Sequence, residues 1–242
     1  MADYIDENYW REALTKPDWY LLLQDDFDRL ERLARDEKDY SKRKQIKSKA
    51  YSLVEEAVRD GNMPMSDSGD NLDAERQPID TVVIHHTKNK PAMTLDRLNA
   101  IQLLRIYGRY FVNPTDPKEK HLKGLPVWSG HFYESRQVFW GYHWLIREDG
   151  ASERILKDTY IGWHAGNWDV NTRSVGICID DDLSDKEPSD AVIQSIADTI
   201  RQHYPAVNKS NILGHCEVNE KTECPGHLFG ESWKQNLLDK LQ

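Results

Sequence analysis

From residue 80 onward the chain alternates short β-branched runs with helical stretches, and this alternation limits the fold more than any other feature. Thr81-Val82-Val83-Ile84 reads as a buried strand. Thr94 can cap a helix that carries Leu98, Ile101, Leu104 and Phe111 on one side. Residues 113–135 are loop-like and rich in proline. Val138 to Ile146 is aromatic and apolar and reads as a strand. Glu148-Asp149-Gly150 turns the chain, so Arg154-Ile155-Leu156 is expected to return beside that strand as a hairpin. Ser174 to Ile179 is a further strand. Ser189 caps a helix with Val192, Ile196, Ile200 and Tyr204 in phase, stopped by Pro205. Ile212-Leu213 is a short strand, and Ser232 to Leu241 a closing helix. Strands interleaved with helices predict an α/β fold with a central mixed β-sheet flanked by helices.

The first sixty residues obey a different pattern. Leu23, Phe27, Leu30 and Ala34 share one helical face, with Pro17 suited to that helix's first turn. Tyr40-Ser41 is expected to break it. A second stripe at Ile46, Ala50, Leu53, Ala57 and Val58 is stopped by Gly61. Two such helices resemble a helical hairpin, which either packs as an accessory element or serves as a binding module. Residues 61–79 are rich in Gly, Pro, Ser and Asp, which is linker chemistry. The expected division is therefore an N-terminal helical accessory segment with its linker over residues 1–75, and a second domain over residues 76–242.

The net charge of −9 argues against a generic phosphate-backbone binder, so no nucleic-acid partner is expected. No apolar run approaches the ~20 residues that span a bilayer. The acidic N-terminus lacks the pattern of a secretory signal, so the expectation is synthesis in the cytoplasm as a soluble protein, taken to be a monomer. The cysteine count of three is odd and too small for a disulfide scaffold.

Four segments place His or Cys at strand ends or in loops: Ile84-His85-His86-Thr87, Gly141-Tyr142-His143, Gly162-Trp163-His164-Ala165-Gly166, and Gly214-His215 through Cys224-Pro225-Gly226. His215 and Cys224 are nine residues apart, close enough for a loop to bring imidazole and thiolate to one ion. Zinc accepts both donors, and a catalytic zinc takes three protein ligands. The third is then His85 or His86. Each piece also has an ordinary structural reading: a hydrogen-bonded strand-end histidine, a turn cysteine, a core Cys178. Trp128, Trp140, Trp144, Trp163 and Trp168 either line a sugar groove or serve as core and rim aromatics. His215-Cys216-Glu217 matches the H-x-E element of a nucleobase deaminase, but the Pro-Cys-x-x-Cys that must follow is absent.

In order and content these segments resemble the zinc-dependent N-acetylmuramoyl-L-alanine amidases, the family that also contains the peptidoglycan recognition proteins. The resemblance covers roughly residues 80–235 and leaves out the N-terminal helices. It implies a peptidoglycan recognition protein-like fold, and Zn2+ held by His85, His215 and Cys224. The activity implied is hydrolysis of the amide between N-acetylmuramic acid and L-alanine in peptidoglycan. A non-catalytic module that binds the same muropeptide is the alternative. Tyr142 matches the tyrosine of the phage-type branch, where it stabilises the oxyanion or orients water. His86, His164 and Trp163 are implied in the substrate groove. Cys178 stands where some relatives, notably the recycling amidases, carry a catalytic Glu. Lys221 sits three residues before Cys224 where the family's lysine sits two before, and remains the candidate for oxyanion stabilisation, with Glu217 and Glu223 as nearby acids. The resemblance suits a lysis enzyme released to the wall after synthesis, or a cytoplasmic enzyme acting on wall fragments.

Overall fold

The structure, a computed structural model, describes residues 4–88, 123–128, 131–133, 136–137 and 141–241. The helix expected after Thr94, together with His121 and Trp140, lies outside these residues. The chain falls into two compact units, Met1–Asn71 with Leu98–Phe139, and Leu72–Arg97 with Trp140–Gln242.

The first unit is helical: α1 (Glu7–Ala13), α2 (Trp19–Leu22), α3 (Gln24–Asp36) and α4 (Tyr40–Arg59). Asp6 caps α1, accepting from the backbone N–H groups of Asn8 and Tyr9. Trp10, Trp19, Leu23 and Leu30 are fully buried here. The Trp10 indole N–H donates to Asp26 at 2.7 Å, so the ring is buried without stranding its polar atom. The expected stripes are present, but two boundaries differ. Pro17 precedes the short α2 rather than opening α3. Tyr40 is the first residue of α4, not a break, because Asp39 accepts from the Lys42 N–H at 2.9 Å and starts the helix. This unit also holds a small hairpin, β2 (Phe132–Tyr133) with β3 (Arg136–Gln137).

The second unit is built on a five-stranded sheet. Its strands are β1 (Thr81–His86), β4 (Trp144–Ile146), β5 (Ser152–Arg154), β6 (Ser174–Ile179) and β7 (Ile212–Gly214), in the order β5-β4-β6-β1-β7. β5 is antiparallel to β4 and the remaining pairs are parallel, so the sheet is mixed as expected. The return strand is Ser152–Arg154, two residues earlier than the expected Arg154–Leu156. The N–H groups of Ile155 and Leu156 instead converge on the His143 carbonyl at 2.8 and 3.3 Å. Helices complete the unit: α5 (Trp168–Arg173), α6 (Asp190–His203), α7 (His215–Val218) and α8 (Lys234–Asp239). The closing helix begins at Lys234 rather than Ser232, after a wide π-type turn over Phe229–Trp233.

The period of two along each strand sorts the side chains onto two faces. One face is aliphatic. Val82 and Ile84 of β1, with Val175, Ile177 and Ile179 of β6, join one core cluster with Val192, Ile193, Ile196 and Ile200 of α6 and with Phe229, Trp233 and Leu237. The alternate positions are Thr81, Val83 and His85 on β1, and Ser174, Gly176 and Cys178 on β6. The register sets Thr81 beside Ser174, Val83 beside Gly176, and His85 beside Cys178. One face therefore supplies the packing and the other carries the polar side chains of the site.

Below that polar face, Arg76 ties the unit together. Its guanidinium donates to the carbonyls of Asp158, Asn171, Thr172 and Ser174 at 2.8 to 3.2 Å. Burial lowers its pKa from the usual arginine value, and Asp158 and Asp73 oppose that shift.

Candidate active site

His85 ends the polar row of β1 and is completely buried. β7, on the other side of β1, stops at Gly214 and delivers His215 as the first residue of α7. Glu217 steadies this start: it accepts from the Gly214 N–H at 2.7 Å and pairs with Lys234 at 2.7 Å. That engagement takes Glu217 away from the acid role considered from sequence. Cys224 comes back by a loop closed by the Cys216 N–H on the Cys224 carbonyl at 2.7 Å. Gly226 is required in this loop. Its φ is +111°, and a Cβ there would meet the Leu183 carbonyl oxygen at 2.0 Å.

One donor atom from each of His85, His215 and Cys224 lies within 4.8 Å of the other two. The Cys224 sulfur is 3.8 Å from His85 Nδ1. Zinc bonds of 2.3 Å to sulfur and 2.0–2.1 Å to nitrogen at a tetrahedral angle put such a pair ~3.6 Å apart. The donors are thus spaced for one ion. His215 Nε2 is buried without a hydrogen-bond partner, a cost that marks a donor set not satisfied by protein groups alone. The residues present fit zinc in both donor type and spacing.

Electrostatics favours the same conclusion. Burial, then the neighbouring His215 and His86, hold the His85 imidazole well below its usual pKa. Burial also lowers His215 and His86, and burial followed by His85 and His143 lowers His164 strongly. The imidazoles are neutral at pH 7 and offer lone pairs. Burial pushes the Cys224 thiol up to about 11, against the pull of the His86 backbone N–H, which donates to its sulfur at 3.4 Å. Without a cation the thiol stays protonated at neutral pH. A cation held here would take the place of that proton and supply the charge a thiolate at this site needs.

A cleft of about 640 Å³ opens at this cluster, lined by His86, Tyr142, His215, Lys221, Glu223 and Cys224 among others. The Tyr142 ring sits 5.0 Å from the His85 ring. Burial raises the Tyr142 phenol well above its usual value, and the sulfurs of Cys178 and Cys224 add to this, so it remains a donor. Cys178 is fully buried in β6, a core residue as expected. His86 Nδ1 accepts from the Leu183 N–H at 3.0 Å, which places its proton on Nε2. Lys221 and Glu223 are exposed at the rim.

Two residues expected in the groove are not among the described residues that line this cleft. His164 is only 6% exposed and sits behind His85, with Nδ1 3.0 Å from His85 Nε2. Trp163 is 51% exposed and meets Trp168 edge-on at 5.6 Å. Trp144 packs in the α6 core.

His143 is a further buried histidine with both nitrogens used. Nδ1 accepts from the Gly176 N–H at 3.1 Å, so Nε2–H donates to the Tyr160 carbonyl at 3.0 Å. Burial, then the positive Arg76, lowers its pKa to about 4. The unfolded chain takes up this proton near pH 6.5 and the folded chain does so only near pH 4. Stability is therefore complete above pH 6.5 and is lost as the pH falls toward 4, by about 3 kcal/mol from this group alone. Urea midpoints of the metal-free protein should drop between pH 7 and pH 4.5, and His143→Gln should flatten that slope. An unchanged slope in the variant would contradict the assignment.

Sheet, cleft and donor triad together make a site that could hold a metal ion on an α/β scaffold. Residues 75–227 match the family described as N-acetylmuramoyl-L-alanine amidase, more than half of the sequence, and the chain belongs to that family. It is similar to the 1,6-anhydro-N-acetylmuramyl-L-alanine amidase AmpD of Haemophilus influenzae, with 28% identity over 116 residues, covering 44% of this chain and 62% of that protein. The endolysin of Escherichia phage T7 is 28% identical over 103 residues, covering 40% of this chain and 66% of that protein. The match thus spans slightly less than two thirds of each of these curated relatives. Among solved structures, the N-acetylmuramoyl-L-alanine amidase LysC from Clostridium intestinale is 22% identical with a TM-score of 0.44, covering 68% of this chain and 87% of that one.

Proposed function

We propose that this chain is a zinc-dependent N-acetylmuramoyl-L-alanine amidase. It cuts the amide between the lactyl group of N-acetylmuramic acid and L-alanine in peptidoglycan. The observation that carries the reading is the convergence of His85, His215 and Cys224 at the cleft that Tyr142 and Lys221 also line. Zinc held by these three would supply Lewis-acid polarisation of the carbonyl and a water of lowered pKa.

The chain's own groups do the rest. The Tyr142 hydroxyl, kept protonated by burial, donates to the oxygen on which charge develops. Lys221 adds positive charge from the rim. His86, with its proton on Nε2, donates to the bound muropeptide. Glu223, beside the Cys224 donor, is the rim acid we assign to proton transfer to the leaving amine; Glu220 also lines the cleft, and Glu217 is held by Lys234.

The test is incubation with purified sacculi. New free α-amino groups of L-alanine should appear, and a chelator should stop their release. Binding to sacculi with no released amine would point instead to a recognition module.

We keep the division at residues 75 and 76 as part of this proposal, with the N-terminal helices binding the wall or a partner. The enzyme acts as a monomer on the wall after release, in the manner of an endolysin. Among the described residues, no helix is long and apolar enough to cross a membrane.

A further inference from the structure

We propose that His164, backed by Ser174, is a positioning residue that fixes the tautomer and aim of His85. The inference rests on the reading of His85 as a metal ligand.

His85 has two ring nitrogens and both are spoken for. Nδ1 faces Cys224 at 3.8 Å, and Nε2 meets His164 Nδ1 at 3.0 Å. The second nitrogen of His164 meets the Ser174 hydroxyl at 3.2 Å. The three side chains form one hydrogen-bonded row running from the donor cluster into the core. A nitrogen-to-nitrogen bond needs one N–H and one lone pair. If His85 gives its Nδ1 lone pair to a cation, its proton is on Nε2. His164 Nδ1 must then accept, so the His164 proton is on Nε2 and points at Ser174. The serine hydroxyl rotates to accept it. Each bond dictates the next, so the row has one polarity in the metal-loaded protein. Ligating histidines ordinarily find a carboxylate, carbonyl or water for this purpose. Here a neutral imidazole does it, in a place where a carboxylate would bury a charge.

The surroundings hold the His164 ring still. Asn171 Oδ1 accepts from the backbone N–H of His164 at 3.3 Å and of Ala165 at 2.8 Å. The ring lies against Gly176 of β6, where an added Cβ would stand 2.9 Å from its Cγ. Gly162 leaves similar room, its Cβ position being 3.1 Å from His164 Cδ2 and 2.8 Å from His143 Cε1. The glycines in Gly-Trp-His and Ser-Val-Gly make space for a ring at this point.

A packing role and an orienting role predict different results. His164→Phe keeps a ring but removes the acceptor. His164→Asn keeps an amide acceptor near the place of Nδ1. Ser174→Ala removes the end of the row. The zinc affinity of each protein is read by competition with a chromogenic chelator, and the ligand geometry from the visible spectrum of the cobalt(II)-loaded form. Urea midpoints of the metal-free proteins report packing separately. We expect His164→Phe to weaken zinc by about 10–100-fold and to alter the cobalt bands. His164→Asn should recover most of the affinity, and Ser174→Ala should lose several-fold. Affinity and cobalt bands equal to wild type in His164→Phe overturn the proposal. If that variant does not fold, an unchanged affinity in Ser174→Ala overturns it. An unmodified protein that binds no zinc strikes the metal centre itself and this inference with it.

Discussion

Cys224→Ala should leave a folded protein that holds almost no zinc and releases amines from sacculi at least ~10³-fold more slowly. The size follows from the several kcal/mol that a Lewis-acid metal contributes to the transition state. The fold should survive because Cys224 lies in a loop, while the core beneath α6 is aliphatic and independent of it. The check is metal content by mass spectrometry beside the amine assay, with the urea midpoint as the control for folding. Retained turnover in the metal-free variant would reject the hydrolytic reading.

The second large effect is expected from Tyr142→Phe, which removes one hydroxyl and almost no volume. Zinc content should stay at wild-type level, because the phenol is not one of the three clustered donors. Turnover should fall by ~10²–10³, the usual loss when a single donor to a developing oxyanion is deleted. The loss should appear in kcat more than in KM, since the interaction strengthens only as charge develops. A variant that keeps full kcat would remove Tyr142 from the chemistry and leave it as a wall of the cleft.

Much of this site can be read from the sequence, for physical reasons. A β-branched run that ends in His85-His86 marks a buried strand whose last residues stand at the C-terminal end of a central strand. The alternation in Ser174–Ile179 and the Ser189 cap of α6 are local signals, and both stand in the structure. The period of two also explains why sequence reading alone left His85 and His86 open: only the face that looks away from α6 holds the donor cluster. Which face that is depends on what packs beneath. β5 was misplaced because its exposed polar residues carry no hydrophobic pattern, whereas the apolar Ile155-Leu156 beside it drew the assignment. The position of His164 is the plainest gap. Its partner His85 is 79 residues away, and a Trp-His pair in a loop gives no local sign that one ring is exposed and the other buried.

His85, His215 and Cys224 come from distant parts of the chain, and their donor atoms lie within 4.8 Å of one another. X-ray absorption at the zinc edge of the loaded protein tests this most directly. The account predicts two imidazole nitrogens near 2.0–2.1 Å and one sulfur near ~2.3 Å around each zinc. A first shell without sulfur, or with one histidine only, would contradict it.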